Sequence, residues 1–372
     1  MLISKGMFAE HVVELACPRC RGRIAGPDGS GWIDSGTLAC AECAASYLIV
    51  GGVPRMVAAA DESSTARVGA RTQAAFGFEW LRYPVTTLEE DRVTFFGLTG
   101  IEPSFHERVD FSDFPTGPPT TEELAAATTS RLEGRKVLEA GCGMGKYVRV
   151  ASDLGARLAV GLDASDAVER AVAVTERRPN VLIVQGDIFH PPLAGGFDFA
   201  YSVGVLHHTP APRRAFESVA ALVRTGGELA VWLYPHSSRP GSYLLEIWHE
   251  RLLRPLTSRL PHRALERLCV GLGRLTVLKT RLRRRDGAVA GVIARVLNAV
   301  AVGQHLDPGI AAFLNFDWYS PPHRSRHTDG ELAEWFANAG FIDLRQLPVP
   351  VSAVASKVDS GSTPSLATTA GG

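Results

Sequence analysis

Residues Val137 to Tyr147 read VLEAGCGMGKY, and this stretch decides the fold. A short apolar strand runs into Gly141, Gly143 and Gly145 and then into residues that favour a helix. Such a turn is how an open α/β sheet receives a nucleotide-like ligand beyond its strand ends. Glycine is required because a Cβ would hold the backbone away from the ligand. A dinucleotide site needs Gly-x-Gly-x-x-Gly, whereas here Lys146 stands in the sixth place, so NAD is disfavoured. No Walker phosphate loop is present.

Outward from the turn, short apolar runs at Lys136–Ala140, Leu158–Leu162, Val181–Gln185, Phe197–Ser202 and Glu228–Tyr234 alternate with helical patterns at 146–154, 165–177 and 211–223. The alternation stops after Tyr234. It resumes with a helix at Asp329–Ala339, capped by Thr328 or Asp329, and strands at Phe341–Leu347 and Val351–Lys357. The expected architecture is α/β, a doubly wound, seven-stranded, mostly parallel sheet. The expected division is a zinc ribbon at 1–60, a linker and N-terminal lid or helical segment at 61–134, and the sheet core at 135–235 and 321–358. A helical cap is inserted at 236–320, and 359–372 reads as a disordered tail.

Acids stand at successive strand ends. Asp163 can accept from two ribose hydroxyls, Asp187 from an adenine amine, and Glu139 suits an ammonium group rather than a pyrophosphate. With no basic cradle beside them, these acids describe a cationic nucleoside, S-adenosylmethionine. At the front of the chain, Cys17-Pro-Arg-Cys20 and Cys40-Ala-Glu-Cys43 are separated by nineteen residues. That spacing lets two tight turns present four thiolates to one structural Zn²⁺. About sixty residues bury little core, so the metal would supply folding energy.

Residues 136–234 resemble a class I S-adenosylmethionine-dependent methyltransferase, on VLEAGCGMGKY, VGLDASDAV, VQGDIFHPPL, FDFAYSVGVLHHTPAP and TGGELAVWLY. LACPRC and LACAECAASYLIVGGVP resemble the small zinc-ribbon family that activates certain methyltransferases, here fused to the enzyme. FGFEW and DWYSPPHRSRHTDGELAEWFANAGF are similar to a bacterial subgroup with this layout. The resemblance implies cofactor contacts at Glu139, Gly141, Gly143, Gly145, Asp163, Asp187 and the Ser202-Val203 backbone. It says nothing of the acceptor.

Methyl transfer chiefly requires alignment of the acceptor and exclusion of water. Base candidates are His207 and His208 after the fourth strand, Tyr234 after the fifth, and His323 and His327 in DWYSPPHRSRHT, residues 317–328. In the same stretch Asp317, Trp318 and Tyr319 are expected to wall the acceptor pocket, with Arg324 and Arg326 free to pair an acidic group. Methylation of exocyclic base amines in DNA is disfavoured, because Ser202-Val-Gly-Val205 replaces the Asn/Asp-Pro-Pro-aromatic motif.

The chain has 39 basic and 39 acidic residues, so no overall field draws in nucleic acid or acidic lipid. Residues 239–286 hold twelve Lys or Arg against four acids. That insertion reads as a solvated cap, a phosphate-holding element, or a contact with an anionic membrane surface. The expected acceptor is a small-molecule or lipid-linked biosynthetic metabolite, with nucleic acid unlikely. RNA methylation with the ribbon docking the nucleic acid, and a methyltransferase fold doing other chemistry, stand as alternatives. No signal peptide or membrane span is legible, which makes a cytoplasmic protein the expectation.

Overall fold

The structure, a computed structural model, describes residues 7–27, 29–57, 64–83, 88–102, 105, 131–236, 247–284 and 287–358. Residues 106–130 of the expected lid or helical segment fall outside these residues. So do the two ends of the basic insertion and the 359–372 tail.

The front end supplies β1 (Met7–Phe8), β2 (Ile24–Ala25), β3 (Trp32–Ile33), β4 (Ser35–Cys40), β5 (Ser46–Val50) and β6 (Val53–Arg55). Helices α1 (Ser64–Arg82) and α2 (Leu88–Thr99) follow. The central run is β7 (Lys136–Ala140), α3 (Lys146–Asp153), β8 (Leu158–Asp163), α4 (Val168–Val174), β9 (Val181–Gln185), β10 (Phe197–Val203), α5 (Pro212–Leu222) and β11 (Val223–Trp232). The insertion holds a π-helical turn at His249–Leu253, then α6 (Arg254–Thr257), α7 (His262–Arg283), α8 (Ala288–Leu297) and α9 (Pro308–Tyr319). The chain then forms α10 (Asp329–Asn338), β12 (Phe341–Gln346) and β13 (Ser352–Lys357).

The seven expected strands lie in the order β12-β13-β11-β10-β7-β8-β9, parallel from β11 to β9, and β13 runs antiparallel to both of its neighbours, β11 and β12. Every residue of β7 is buried. Both faces are covered, and successive side chains go to opposite sides. Leu138, Val160 and Ala200 pack with Phe216 of α5 and Phe336 of α10. Val137, Ala159 and Phe199 pack with Phe95 of α2 and Val148 of α3.

The sheet does not stop at β9. β6 runs parallel to it through Arg55 and Gln185, and β5, β4 and β2 add antiparallel strands, giving eleven in all. The front end, expected as a module of its own, is therefore an extension of the catalytic sheet. Its hydrogen bonds agree: Arg21 donates to the carbonyls of Pro191 and Leu193 at 2.5 and 2.7 Å, and Ala16 N donates to Pro192 O.

One further expectation changes. Residues 64–72, read as part of a linker, are helical and carry straight into FGFEW within α1. Asp317, Trp318 and Tyr319, expected to wall the acceptor pocket, form the last turn of α9. The α7–α9 crossing depends on Gly273, where a Cβ would stand 2.8 Å from the Ala312 nitrogen. Thr328 caps α10 in a reciprocal capping box with Glu331.

Candidate active site and metal centre

The glycine turn is held against the neighbouring strand. Gly141 N and Cys142 N donate to Leu162 O at 2.7 and 3.0 Å, and all three glycines have positive φ. A Cβ on Gly141 would lie 2.4 Å from Val205. Gly143 N donates to Asp163 Oδ2 at 2.8 Å, and Asp163 Oδ1 accepts from Ser165 N and Oγ. Burial pushes the Asp163 carboxyl up despite these bonds. Glu139 is buried, its Oε2 has no hydrogen-bond partner among the described residues, and burial lifts its carboxyl well above the usual range. Lys146 is turned toward α2, its Nζ lying 3.3 Å from Asp91.

Asp187 accepts from Phe189 N at 3.0 Å at the end of β9. The Ser202 hydroxyl donates to Ala140 O at 2.8 Å, beside the glycine turn, while Val203 is partly exposed. A covering residue was not assigned from sequence: Trp80 of FGFEW lies over Gly143, where a Cβ would stand 3.0 Å from its Nε1. The motif was visible, but nothing local said where its helix would dock.

Beyond β10 and β11 a second group assembles. His207 stacks on Tyr234 with ring centroids 4.0 Å apart, and neither of its ring nitrogens has a hydrogen-bond partner among the described residues. Burial holds His207 well below its ordinary pKa, and pushes His208 down to about 3. Both are thus neutral. His208 Nδ1 lies 3.1 Å from His323 O, which can only accept, so that nitrogen carries the hydrogen. Tyr234 donates to Asp317 Oδ2 at 3.3 Å. Beside it, Glu79 of α1 is completely buried with neither oxygen hydrogen-bonded among the described residues.

DWYSPPHRSRHT divides. Asp317 joins Tyr234, but the Tyr319 hydroxyl points into the helical layer, at 2.8 Å from Val300 O and 2.9 Å from His249 Nδ1. Tyr319 is therefore no wall of this group. Trp318 lies beneath the Arg324 guanidinium, 3.8 Å from centroid to Cζ. Arg324, expected free, is buried and paired with Glu250. Glu250 also holds Arg254 and stands 3.8 Å from Arg326; burial alone would raise its carboxyl, but Arg324 and Arg254 outweigh that and lower it. His327 bonds Ser325 Oγ at 2.8 Å and packs against Trp335, while His323 Nε2 is buried without a partner.

The four front-end sulfurs lie within 4.8 Å of one another, with Cys17–Cys43 at 3.6 Å and Cys20–Cys40 at 3.5 Å. Tetrahedral Zn–S bonds of about 2.3 Å put sulfurs about 3.8 Å apart, so this donor set fits a metal ion. The Tyr47 hydroxyl, 3.1 Å from Cys17 Sγ, supports that ligand from outside.

Residues 138–231 match the methyltransferase domain family, and the chain carries such a domain. The tRNA U34 carboxymethyltransferase of Syntrophotalea carbinolica is 31% identical over 104 residues, 27% of this chain and 32% of that protein. The same enzyme of Shewanella woodyi is 35% identical over 109 residues, with 27% and 32% covered. The chain thus spans about a third of the length of the curated relatives it matches. Among solved structures, an S-adenosylmethionine-dependent methyltransferase of Mesorhizobium loti aligns with a TM-score of 0.26 at 27% identity, covering 29% of this chain and 53% of that one. The Haloferax volcanii complex of the Trm112 methyltransferase activator gives 0.37 at 13% identity, covering 62% and 84%.

These relatives, named for tRNA modification, overturn the expectation of a small-molecule or lipid-linked acceptor with nucleic acid unlikely. A net charge of zero misled because it averages over the chain. Four arginines of α7, Arg263, Arg267, Arg274 and Arg281, are exposed and have no acidic partner among the described residues. At 3.6 residues per turn they fall within about 40° of one another, along about 27 Å of helix. Among the described residues no helix is long and apolar enough to cross a membrane.

Proposed function

We propose that this chain is an S-adenosylmethionine-dependent methyltransferase acting on RNA, with one structural zinc held by Cys17, Cys20, Cys40 and Cys43. The observation that carries the cofactor reading is the buried, half-unbonded Glu139 carboxylate beside the glycine turn. A buried anion without a partner costs several kcal/mol, about what a bound ammonium group would recover. Asp163 retains lone pairs for ribose hydroxyls, and Trp80 over Gly143 would shield the bound group from water. S-adenosylmethionine supplies an activated methyl group, and the chain's task is to align the acceptor and keep the site dry. The glycine, acid and aromatic positions named here are proposed as its binding residues, and Tyr234 and His207 as the acceptor-side wall.

The RNA acceptor is favoured by the relatives matched over the catalytic segment and by the exposed arginine stripe on α7, whose length suits several phosphates. Those relatives are named for transfer of a carboxymethyl group. The residues around Tyr234 favour a plain methyl group instead. Glu79 and Asp317 are acids, and Arg324 is already taken by Glu250, so a second carboxylate on the transferred carbon would meet no free cation there among the described residues.

Incubation with methyl-labelled S-adenosylmethionine and protein-free total tRNA and ribosomal RNA tests both parts. Label in RNA is expected; label confined to small metabolites, or none, refutes the proposal.

A further inference from the structure

Glu79 interrupts the inner face of α1. Its neighbours on that face are aromatic: Phe76 meets His208, Trp80 meets Phe313, and Tyr83 meets Phe316. An apolar residue would complete this face at no cost. Instead a carboxyl is buried to 0% exposure, with both oxygens unbonded and no cation beside it among the described residues. Asp317, across from it on α9, is within electrostatic reach, and Asp317 Oδ2 accepts from Tyr234. Tyr234 stacks on His207, which follows the strand end nearest the glycine turn.

The imidazoles beside it do not compete for this task. His208 is committed to the His323 carbonyl, and burial keeps both His207 and His208 far below their ordinary pKa. An acid is the reverse case: burial first, and the Asp317 charge second, push the Glu79 carboxyl well above the usual carboxylate range. Each of two neighbouring carboxyls disfavours ionisation of the other.

We propose that Glu79 receives the proton of the acceptor group during methyl transfer, with Asp317 and Tyr234 as its positioning residues. This rests on the reading of the chain as an RNA methyltransferase. In the step, the acceptor's N–H or O–H atom bonds to the methyl carbon. The carbon–sulfur bond breaks with its electrons left on sulfur, and the acceptor's proton passes to a Glu79 carboxylate oxygen.

The test compares wild type with Glu79→Gln and Asp317→Asn in methyl transfer to RNA, across pH, with cofactor affinity by calorimetry. Glu79→Gln should lower kcat by about 10²-fold or more and abolish the acid limb of the pH profile, with cofactor affinity within about twofold. Asp317→Asn removes a like charge and should move that limb to lower pH even if Glu79→Gln folds poorly. An unmoved limb in Asp317→Asn, together with Glu79→Gln turnover within about threefold of wild type, overturns the role of Glu79. A wild-type protein that methylates no RNA overturns the RNA reading, and this inference with it.

Discussion

Trp80 lies over Gly143, so close that a Cβ on the glycine would stand 3.0 Å from the indole nitrogen. The contact joins residues 63 positions apart: an aromatic helix from the front half of the chain and the glycine turn of the central sheet. Trp80 is thereby placed to close over whatever binds at that turn. Trp80→Ala should weaken S-adenosylmethionine binding by about tenfold, about 1.4 kcal/mol, with little change in Tm. Calorimetry decides; an unchanged affinity would make Trp80 a packing residue only.

The four cysteine sulfurs bring the Cys17–Cys20 turn, the end of β4 and the turn after it to one point, and β6 joins that unit to β9. Cys40→Ser should remove the metal and unfold the front end, since the binding free energy of such a site is also folding free energy. Zinc measured in the purified protein should be about one per chain. Metal-free protein of normal Tm would rule the site out.

Replacing Arg263, Arg267, Arg274 and Arg281 together by Gln should weaken RNA binding and leave cofactor binding intact. Each phosphate contact contributes about 0.7 to 0.9 to the salt slope of log K, so the slope should fall by about 3. An unchanged slope would mean the stripe is only solvated.

His208 is neutral in the folded protein, its pKa pushed down to about 3 by burial. The unfolded chain binds this proton near pH 6.5. Between pH 6.5 and 3 the unfolded state therefore holds more protons, and stability must fall as pH falls, by up to about 1.4 kcal/mol per pH unit for one such group. His207, shifted the same way, steepens the fall. His208→Phe should flatten the melting-temperature profile below pH 6.5; an equally steep profile would assign the acid sensitivity elsewhere.

His327 is bonded to Ser325, packed on Trp335 and only 7% exposed. His327→Ala should cost about 1 to 3 kcal/mol of stability, read from denaturant unfolding, with kcat little changed in the folded protein. A large fall in kcat at full stability would return His327 to the catalytic candidates.

Local chemistry made much of this protein legible in its sequence. Glycines that need positive φ, acids ending successive apolar strands, and cysteines at Cys-x-x-Cys spacing each state their requirement within a few residues. The seven-strand core, the Thr328 cap and the gathering of four sulfurs follow from such patterns. What the sequence could not decide were encounters between distant segments. The continuation of the sheet through Arg55 and Gln185, Trp80 over Gly143, Glu79 against Asp317, and the capture of Arg324 by Glu250 all join residues more than sixty positions apart. Side-chain type says what each could do. Only the packing of α1 and α9 over the sheet edge, where burial removes water and leaves each polar atom with or without a partner, selects which of them remain open for chemistry.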